Sequence, residues 1–331
     1  MTRILHIAFL ICVTSVLYGQ DYIYSQYINT PLMVNPALTG DMNTDYRAGL
    51  GYRTQWASIA EPFLNTSAYY DMSLLKQRSN KNQLGVGAWI SRDQMGKAKM
   101  GLLQAVASVA YRLSINDYNT FSTGMQIGYV QRSIDFAGLA WDSQYNGVGF
   151  DPSLDDKEAF SAEKQSSVDA SAGLLWRHKK KAHYALGYSM WHYGQQQSFL
   201  AGGSDKLFVR HVLHGEYEFK EKFFDVLVRA KSEIQSGAIE TTVGLHGRYR
   251  TGLDSRYTNF QTSSAITAGV YYRVGDAITP MLGYEFQRMV QAWFSYDINI
   301  SRLNVATHYR GGWEIHLMHT GMLTTTRRKL R

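Results

Sequence analysis

The chain has 331 residues, a formal net charge of +7 and a single cysteine, Cys12. One cysteine cannot build a disulfide framework or a zinc site made of several thiolates. Basic patches can bind nucleic acid, but no nucleic-acid-binding motif accompanies the positive charges here. Four of them lie within the last five residues, so we expect a solvated basic tail over residues 321–331 and no nucleic-acid partner. These four are Arg327, Arg328, Lys329 and Arg331.

The first 20 residues have the pattern of a secretory signal peptide. Residues 1–3 are short and basic, and residues 4–17 are almost wholly apolar, which is too short for a full membrane span. Small and polar residues follow, and they favour cleavage after Gly19 or Gln20. The alternative is a short anchoring helix. Lipidation at Cys12 is disfavoured because Ile11, rather than a small residue, precedes it.

Alternation of apolar and polar residues with a period of two dominates the remaining chain, and it indicates β-strands. In residues 121–132, Phe121, Met125 and Tyr129 lie on one face, whereas Ser122 and Gln126 lie on the other. No later apolar run reaches the length of about 18 residues that a membrane-spanning helix needs. We predict about 14 strands, centred on residues 46–53, 66–74, 84–92, 104–113, 121–132, 168–176, 184–192, 208–219, 224–231, 239–250, 265–273, 279–287, 292–300 and 313–319.

The composition of the two strand faces favours a transmembrane antiparallel β-barrel over a soluble sandwich. The polar face carries charges of both signs in nearly every strand, and these can form ion pairs across a polar lumen. The apolar face is often aromatic near strand ends, as interfacial girdles are. Glycines are frequent on the charged face, where they leave room for bulky neighbours. The charged residues are Arg47, Arg53, Asp71, Arg112, Asp169, Arg210, Glu216, Arg229, Glu240, Arg248, Arg273, Glu285, Asp297 and Glu314.

The predicted domains are a signal peptide at residues 1–20, a leader or plug segment at 21–44, a barrel at 45–320 and the basic tail. With the mature N-terminus in the periplasm, the long link over residues 133–165 faces outward, as long loops of such barrels do. Residues 251–264 form a rather long turn for the periplasmic side, so the strand count is least certain there.

The histidines invite a metal-site or hydrolase hypothesis. His211 and His214 are three residues apart, as are His316 and His319, so each pair lies on opposite faces of a strand and cannot hold one ion. Inward His214, His246 and His316 could meet a serine or aspartate in the lumen, but no nucleophile-elbow motif singles any out. Glu240, His246, Arg248 and Glu285 are better interpreted as lumen ion pairs. We predict no catalytic residue, no metal and no cofactor.

The leader at residues 21–44 is not patterned as a strand. Two prolines, one of them in Asn35-Pro36, indicate a fixed, irregular conformation. Two interpretations stay open: an ordinary periplasmic leader, or a plug or docking segment.

The same segment carries a family resemblance. Ser25-Gln26-Tyr27, Pro31-Leu32, Asn35-Pro36-Ala37 and Gly40 resemble the N-terminal signature of the PorP/SprF family of outer-membrane proteins. The resemblance continues in Tyr52-Arg53 and Gln55-Trp56, and it returns in Phe294-Ser295-Tyr296-Asp297 and Gly312-Trp313-Glu314-Ile315.

This resemblance implies a non-enzymatic outer-membrane component of type IX secretion and gliding motility. The implied partners are the lipid bilayer, the periplasmic secretion ring, and a secreted, adhesin-like cargo protein with a C-terminal secretion domain. The alternative function is an outer-membrane channel for small solutes. We expect substrate contact at residues 133–165, whose acidic character suits a basic or polar partner. The predicted partner-binding or plug residues are Gln26, Tyr27, Asn35, Pro36, Gly40, Arg53, Gln55 and Trp56.

Overall fold

Fourteen antiparallel strands account for most of the chain in the computed structural model. The structure describes residues 24–58, 61–74, 82–96, 98–135, 139, 141–151, 153–154, 163–180, 182–193, 208–252 and 263–323. The predicted signal peptide and most of the basic tail lie outside the described residues. The strands are β1 (Tyr46–Gln55), β2 (Phe63–Leu74), β3 (Gln83–Met95), β4 (Met100–Ser114), β5 (Asn119–Ser133), β6 (Lys164–Lys179), β7 (His183–Tyr193), β8 (Arg210–Lys220), β9 (Phe224–Gln235), β10 (Ala238–Arg250), β11 (Ala265–Arg273), β12 (Ala277–Phe286), β13 (Val290–Asn299) and β14 (Arg310–Gly321).

The strands close into a single barrel in which each strand pairs with its neighbours in sequence. Pairing of β1 with β14 completes the ring, from Tyr46 opposite Gly321 to Gln55 opposite Gly312. Closure leaves no open sheet edge, which a strand structure within lipid requires. The predicted antiparallel barrel of 14 strands is confirmed, and every predicted segment coincides with one observed strand. The count also holds across residues 251–264, where the sequence was least decisive.

The two faces of the barrel wall differ in the sense expected for a membrane barrel. Inward side chains such as Asp71, Lys231 and Glu314 are buried although charged, whereas outward Leu50 and Ile127 are about 60% exposed, at 59% and 62%. A soluble barrel would show the reverse pattern. No helix among the described residues is long and apolar enough to cross a membrane.

Aromatic side chains project outward near both ends of the barrel. Tyr111, Phe219 and Tyr249 lie near the end at which β1 begins, and Tyr52 and Tyr129 lie toward the other end. This distribution matches the two girdles that mark the membrane interfaces. We call the end where β1 begins the periplasmic end, because both barrel termini meet there. The opposite end is the outer end, and it carries the long connection between β5 and β6.

A segment ahead of β1, residues 24–44, lies inside the barrel and is called the plug from here on. It contains a 3₁₀ turn (Tyr27–Asn29), one α-helical turn (Pro31–Val34) and a second 3₁₀ turn (Pro36–Leu38). Outside the plug, the described helical elements are a 3₁₀ turn (Asp142–Gln144) and a helical turn (Asn304–Thr307). The sequence left two interpretations of the leader open, a periplasmic segment or a plug, and its described part occupies the lumen. Inward polar side chains satisfy its irregular backbone there, as the next subsection shows.

The lumen is less polar than the sequence predicted. Tyr27, Leu32 and Met33 of the plug pack with inward Trp89 and Trp191 in a buried apolar cluster. Most inward glycines make room for this filling. A Cβ atom added at Gly124 would collide with the Pro36 backbone, and one added at Gly173 would collide with the Asn35 side chain. The predicted role of the glycines is therefore confirmed, but many of the neighbours they accommodate are plug or aromatic groups rather than charges.

Substitution of an outward residue near the middle of a strand tests which face contacts lipid. Ile127→Arg places a charge against hydrocarbon near the centre of β5, and we expect it to destabilise the barrel by about 2–4 kcal/mol. Reversible urea unfolding in lipid vesicles measures this loss. Ile127→Ala is the control for lost side-chain area, and an arginine variant as stable as this control would contradict the assigned membrane face.

Candidate functional site

The plug crosses the lumen, because its hydrogen bonds reach strands on opposite sides of the ring. Near its start, the Gln26 side chain donates to Ser295 Oγ on β13 at 2.8 Å and to the Glu314 carbonyl oxygen on β14 at 2.8 Å. Near its middle, the Val34 carbonyl oxygen accepts from Ser189 Oγ on β7 at 2.7 Å. Strands β13 and β7 face each other across the ring. The segment therefore fills the lumen rather than lining one wall.

Two carboxylates on the barrel wall hold the start of the plug. Glu314 accepts the backbone N–H groups of Ser25 and Gln26, at 2.9 and 3.1 Å. Asp297 accepts the Ser25 hydroxyl at 2.7 Å. Both carboxylates are nearly fully buried. Hydrogen bonds to charged acceptors are among the stronger ones in proteins, so this contact fixes the plug firmly.

Two arginines neutralise these carboxylates. Arg53 pairs with Asp297 at 3.0 Å and lies 3.7 Å from Glu314. Arg273 pairs with Asp297 at 3.1 Å and also donates to Ser25 Oγ at 3.1 Å. Burial of ions is tolerated only when their charges and hydrogen bonds are satisfied, which is the case here. These four charged residues, with Ser25 and Gln26, form the outer anchor of the plug.

Asn35 organises the middle of the plug. Its Oδ1 accepts the N–H of Ala37 and so caps the 3₁₀ turn that Pro36 begins. Its Nδ2 donates to the Leu174 carbonyl oxygen at 2.9 Å and lies 3.0 Å from His214 Nε2. Because the amide nitrogen can only donate, His214 Nε2 accepts, and the proton of the neutral ring is then on Nδ1. One fully buried amide thus joins the plug to β6 and β8.

The plug is held a second time near the periplasmic end. Asp41 pairs with Arg177 on β6 at 2.7 Å and with Arg112 on β4. Gly40, whose φ is +69°, donates its N–H to Asp71 at 2.8 Å, and Asp71 also pairs with Arg47. We call Asp41, Arg112 and Arg177 the periplasmic latch, because a plug carboxylate bridges two wall arginines there.

Neighbouring arginines control the ionisation of Asp41. Burial by itself raises the pKa of this carboxyl, but Arg177 and Arg112 outweigh burial and hold the pKa well below its usual range. A carboxyl with a lowered pKa in the folded state stabilises that state at every pH above its unfolded value of about 4. The contribution is lost only as the pH falls through the lowered value. The latch therefore persists at neutral and mildly acidic pH.

Comparison with known proteins identifies the family of this plugged barrel. A family model described as type IX secretion system membrane protein PorP/SprF matches residues 16–318. The chain belongs to the PorP/SprF family. The family and the lipid-facing barrel together place this PorP/SprF protein in the bacterial outer membrane. No curated protein matches the sequence.

Solved outer-membrane barrels share the fold of the PorP/SprF chain. The CymD monoaromatic hydrocarbon channel has a TM-score of 0.50 at 13% identity, covering 89% of this chain and 93% of that chain. A FadL homologue from Pseudomonas aeruginosa has a TM-score of 0.50 at 11% identity, covering 94% and 96%. At these identities the likeness concerns the fold alone.

The structure brings only some of the predicted site residues of the PorP/SprF chain together. Gln26 and Arg53 both contact Glu314 of the outer anchor, and Tyr27, the next residue of the plug, packs in the buried apolar cluster. Asn35 and Pro36 lie in the middle of the plug, and Gly40 lies beside the latch. Gln55 and Trp56 lie at the outer rim, where Trp56 packs against Phe63 with ring centroids 4.9 Å apart. Among the described residues, no hydrogen bond joins either of these two to the plug.

Several residues that hold the plug were not among the predicted site residues. Asp297 and Glu314 were recognised as lumen charges and as part of the family resemblance, and Ser25 as part of the signature, but none was assigned a role in holding the plug. Asp41 and Arg177 were not singled out. Alternation identifies an inward charge but not its partner, because partners come from strands far apart in sequence. Asp41 directly follows Gly40, the last residue of the family signature, and this position is the feature of the sequence that could have identified it.

The histidines of the PorP/SprF chain are distributed as predicted. His214 and His316 point inward, whereas His211 bonds the outward Tyr188 and His319 packs on Tyr46, so each pair lies on opposite faces. His214, His246 and His316 contact Asn35, Arg229 and Glu314, respectively. Among the described residues, none of the three bonds a serine hydroxyl, and no group of three or more His, Cys, Asp or Glu side chains is placed to hold a metal ion.

Most inward charges form ion pairs, as predicted, but these pairs join strands that are adjacent or two apart along the wall and do not cross the lumen. Arg248 pairs with Glu285 at 2.6 Å, and Arg229 lies 3.3 Å from Glu216. Glu240 differs from its neighbours, because its Oε1 has no hydrogen-bond partner among the described residues. The lumen of this PorP/SprF protein is thus largely, but not completely, neutralised.

Removal of the latch carboxylate tests how strongly it holds the plug. Asp41→Asn leaves two mostly buried guanidinium groups without their shared counter-ion, and we expect a loss of about 3–5 kcal/mol at pH 7. Urea unfolding in lipid vesicles measures this. The control is Asp276→Asn. The Asp276 carboxylate pairs with Arg273 but is 43% exposed, so the loss of stability in this variant should stay below about 1 kcal/mol. Equal losses in both variants would show that Asp41 does not act as a latch.

Proposed function

We propose that this PorP/SprF protein is a non-enzymatic, plugged component of type IX secretion that engages a secreted, adhesin-like cargo protein. It would do so during export or surface anchoring, in support of gliding motility. The observation that carries the proposal is a lumen occupied by the chain's own plug and anchored near both ends. A lumen filled in this way is more compatible with a protein that holds a partner than with a protein that passes solutes.

The extent of filling supports this choice over a solute channel. Leu32, Gln26 and Asn35 of the plug are fully buried, and Ala37 is 1% exposed. The spaces left between plug and wall include cavities of about 200 and 30 Å³. Such spaces hold a few water molecules each and do not amount to an open pore.

An ordered, exposed tip on the outer connection between β5 and β6 supports cargo contact at this end. Tyr145 and Phe150 form an antiparallel bridge, and their rings lie 5.4 Å apart. Between them, Asn146 Oδ1 accepts the N–H groups of Val148 and Gly149, each at 3.0 Å. We call residues 142–151 the knuckle. Because this turn is already fixed, the knuckle loses less conformational entropy when a partner binds.

The knuckle combines apolar and acidic groups. Val148 is 94% exposed at its tip, and Tyr145 and Phe150 are more than half exposed. Exposed aromatic side chains on a rigid turn are typical anchors of protein interfaces. Asp142 and Asp151 flank the tip. These features suit a cargo surface with an apolar pocket and a basic rim, in agreement with the partner chemistry predicted for residues 133–165.

Conductance measurements separate a plugged barrel from a channel. In planar bilayers we expect the intact protein to show no stable open state, because the plug occupies its lumen. A chain lacking residues 24–43 should give stepwise ion currents. Val148→Asp, which alters only the knuckle, is the control and should behave as the intact protein does. Steady currents through the intact protein would instead favour the solute channel.

Site-specific crosslinking tests cargo contact at the knuckle. A photoreactive phenylalanine in place of Tyr145 should give an adduct with a secreted protein that carries a type IX C-terminal secretion domain, identified by mass spectrometry. The matched control is the same substitution at Tyr118, an exposed aromatic residue at the periplasmic end. Absence of the adduct at Tyr145, or identical adducts at both positions, would refute cargo contact at the knuckle.

A further inference from the structure

The larger of the two cavities lies on the periplasmic side of the plug and is called the vestibule. Its volume is about 200 Å³. Arg47, the second residue of β1, and Arg177, near the last residue of β6, line it together with Arg229 and Glu216. The opposite wall is an apolar face of the plug that includes Pro31 and Leu38. The cavity thus combines a cationic wall with an apolar wall.

The ion pairs around the vestibule leave one positive charge in excess. Four arginines share three carboxylates there, at distances that include 2.8 Å for Arg47–Asp71, 2.5 Å for Arg177–Glu216 and 3.3 Å for Arg229–Glu216. Glu216 therefore serves two arginines, and Asp41 serves Arg112 and Arg177. All four guanidinium groups are mostly buried, where screening by solvent is weak. An additional anion would complete this set of charges.

Two hydrogen-bond donors at the vestibule have no partner among the described residues. They are the hydroxyl of Tyr27, a side chain that is 95% buried, and Nε of Arg177. Tyr27 lines the cavity and lies within electrostatic range of Arg229 and Glu216. A buried donor without an acceptor costs about 1–3 kcal/mol, so such groups are usually satisfied by water or by a ligand.

These groups define the chemistry of a ligand. Guanidinium groups only donate, and the buried Tyr27 hydroxyl, which has no hydrogen-bond partner among the described residues, is also able to donate. A ligand that accepts hydrogen bonds and carries negative charge matches this set of groups. A carboxylate matches the planar donors of arginine in pairs. The apolar plug face favours an aliphatic body, and the volume lies below the roughly 300–1,000 Å³ of sites for drug-sized molecules. The ligand is therefore small.

We propose that the vestibule binds a small carboxylate with a short aliphatic body, held by Arg177, Arg229 and the Tyr27 hydroxyl. The inference does not depend on the cargo contact proposed above. Two sources share this chemistry: a free short-chain carboxylic acid in the periplasm, and the C-terminal residue of a polypeptide that reaches the periplasmic end of the barrel.

Calorimetric titration of the purified protein in detergent tests the site with 4-methylpentanoate as the probe. We expect saturable binding, at least 10-fold weaker binding of the neutral 4-methylpentanamide, and weaker binding of inorganic phosphate, which lacks the aliphatic body. A short peptide ending in leucine, with either a free or an amidated C-terminus, examines the second source. Preference for the free carboxylate in either pair supports the site. Lack of binding by all probes, or equal binding of charged and neutral forms, overturns it.

Tyr27→Phe removes only the hydroxyl and should weaken binding about 10-fold or more, as expected for loss of a hydrogen bond to a charged group. The matched control is Tyr24→Phe, a buried plug phenol whose hydroxyl donates to Asn65 and which does not line the vestibule. The Tyr24→Phe variant should bind the probe as the unaltered protein does. Equal affinity of the Tyr27→Phe variant and the unaltered protein would overturn the assignment.

Crosslinking at Tyr145 should be unaffected by Tyr27→Phe, so failure of this inference is distinguishable from failure of the proposed function.

Discussion

Lipid offers no hydrogen bonds, and this constraint governs the whole molecule. Pairing of β1 with β14 completes the hydrogen bonding of the wall's backbone, so no backbone group is left open to lipid. Polar side chains point inward, away from the lipid. The same inward side chains then supply partners for a second, irregular stretch of backbone. Glu314 illustrates the link, because one carboxylate accepts two plug N–H groups and also lies beside Arg53 and His316. The barrel and its plug are therefore one hydrogen-bonded unit.

The distribution of charge within the lumen gives the plug two different attachments. At the outer anchor the wall supplies carboxylates, which accept backbone N–H groups of the plug. At the periplasmic latch the plug supplies the carboxylate of Asp41, which two wall arginines hold. The apolar cluster around Leu32 and Trp89 lies between them. Without the plug, the buried carboxylates of the outer anchor would lose hydrogen-bond donors and the two arginines of the latch would lose Asp41, so each attachment is selective for the seated plug.

The two ends of the barrel present different surfaces to possible partners. The outer end carries the knuckle, with its exposed Val148 tip and flanking acidic residues. The periplasmic end carries the cationic vestibule, and its described turns over residues 115–118 and 221–223 are short. A filled lumen separates these surfaces, so binding at one end does not require passage through the barrel. This arrangement agrees with a role in which the protein holds partners, as proposed for this member of a secretion family.

Alternation along the sequence, together with the charged and aromatic composition of the two faces, was enough to predict the barrel, its strands and the face that contacts lipid. The side-chain period of two is local, and it recurs in the strands between Tyr46 and Gly321. It also predicted that lumen charges would pair. The leader signature around Gln26, Asn35 and Pro36 drew attention to a segment with a fixed conformation, and left open whether that segment was a periplasmic leader or a plug.

Only the tertiary structure decided that this segment lies inside the lumen and which residues hold it. Partners such as Ser25 and Asp297, or Asp41 and Arg177, lie on distant parts of the chain, and no local period relates them. Their meeting depends on the curvature and closure of the barrel, which brings β13 and β7 to opposite sides of one filled space. The sequence by itself thus determined the wall and its sidedness, whereas three-dimensional closure decided the filling, because the contacts inside a barrel are set by which strands face each other.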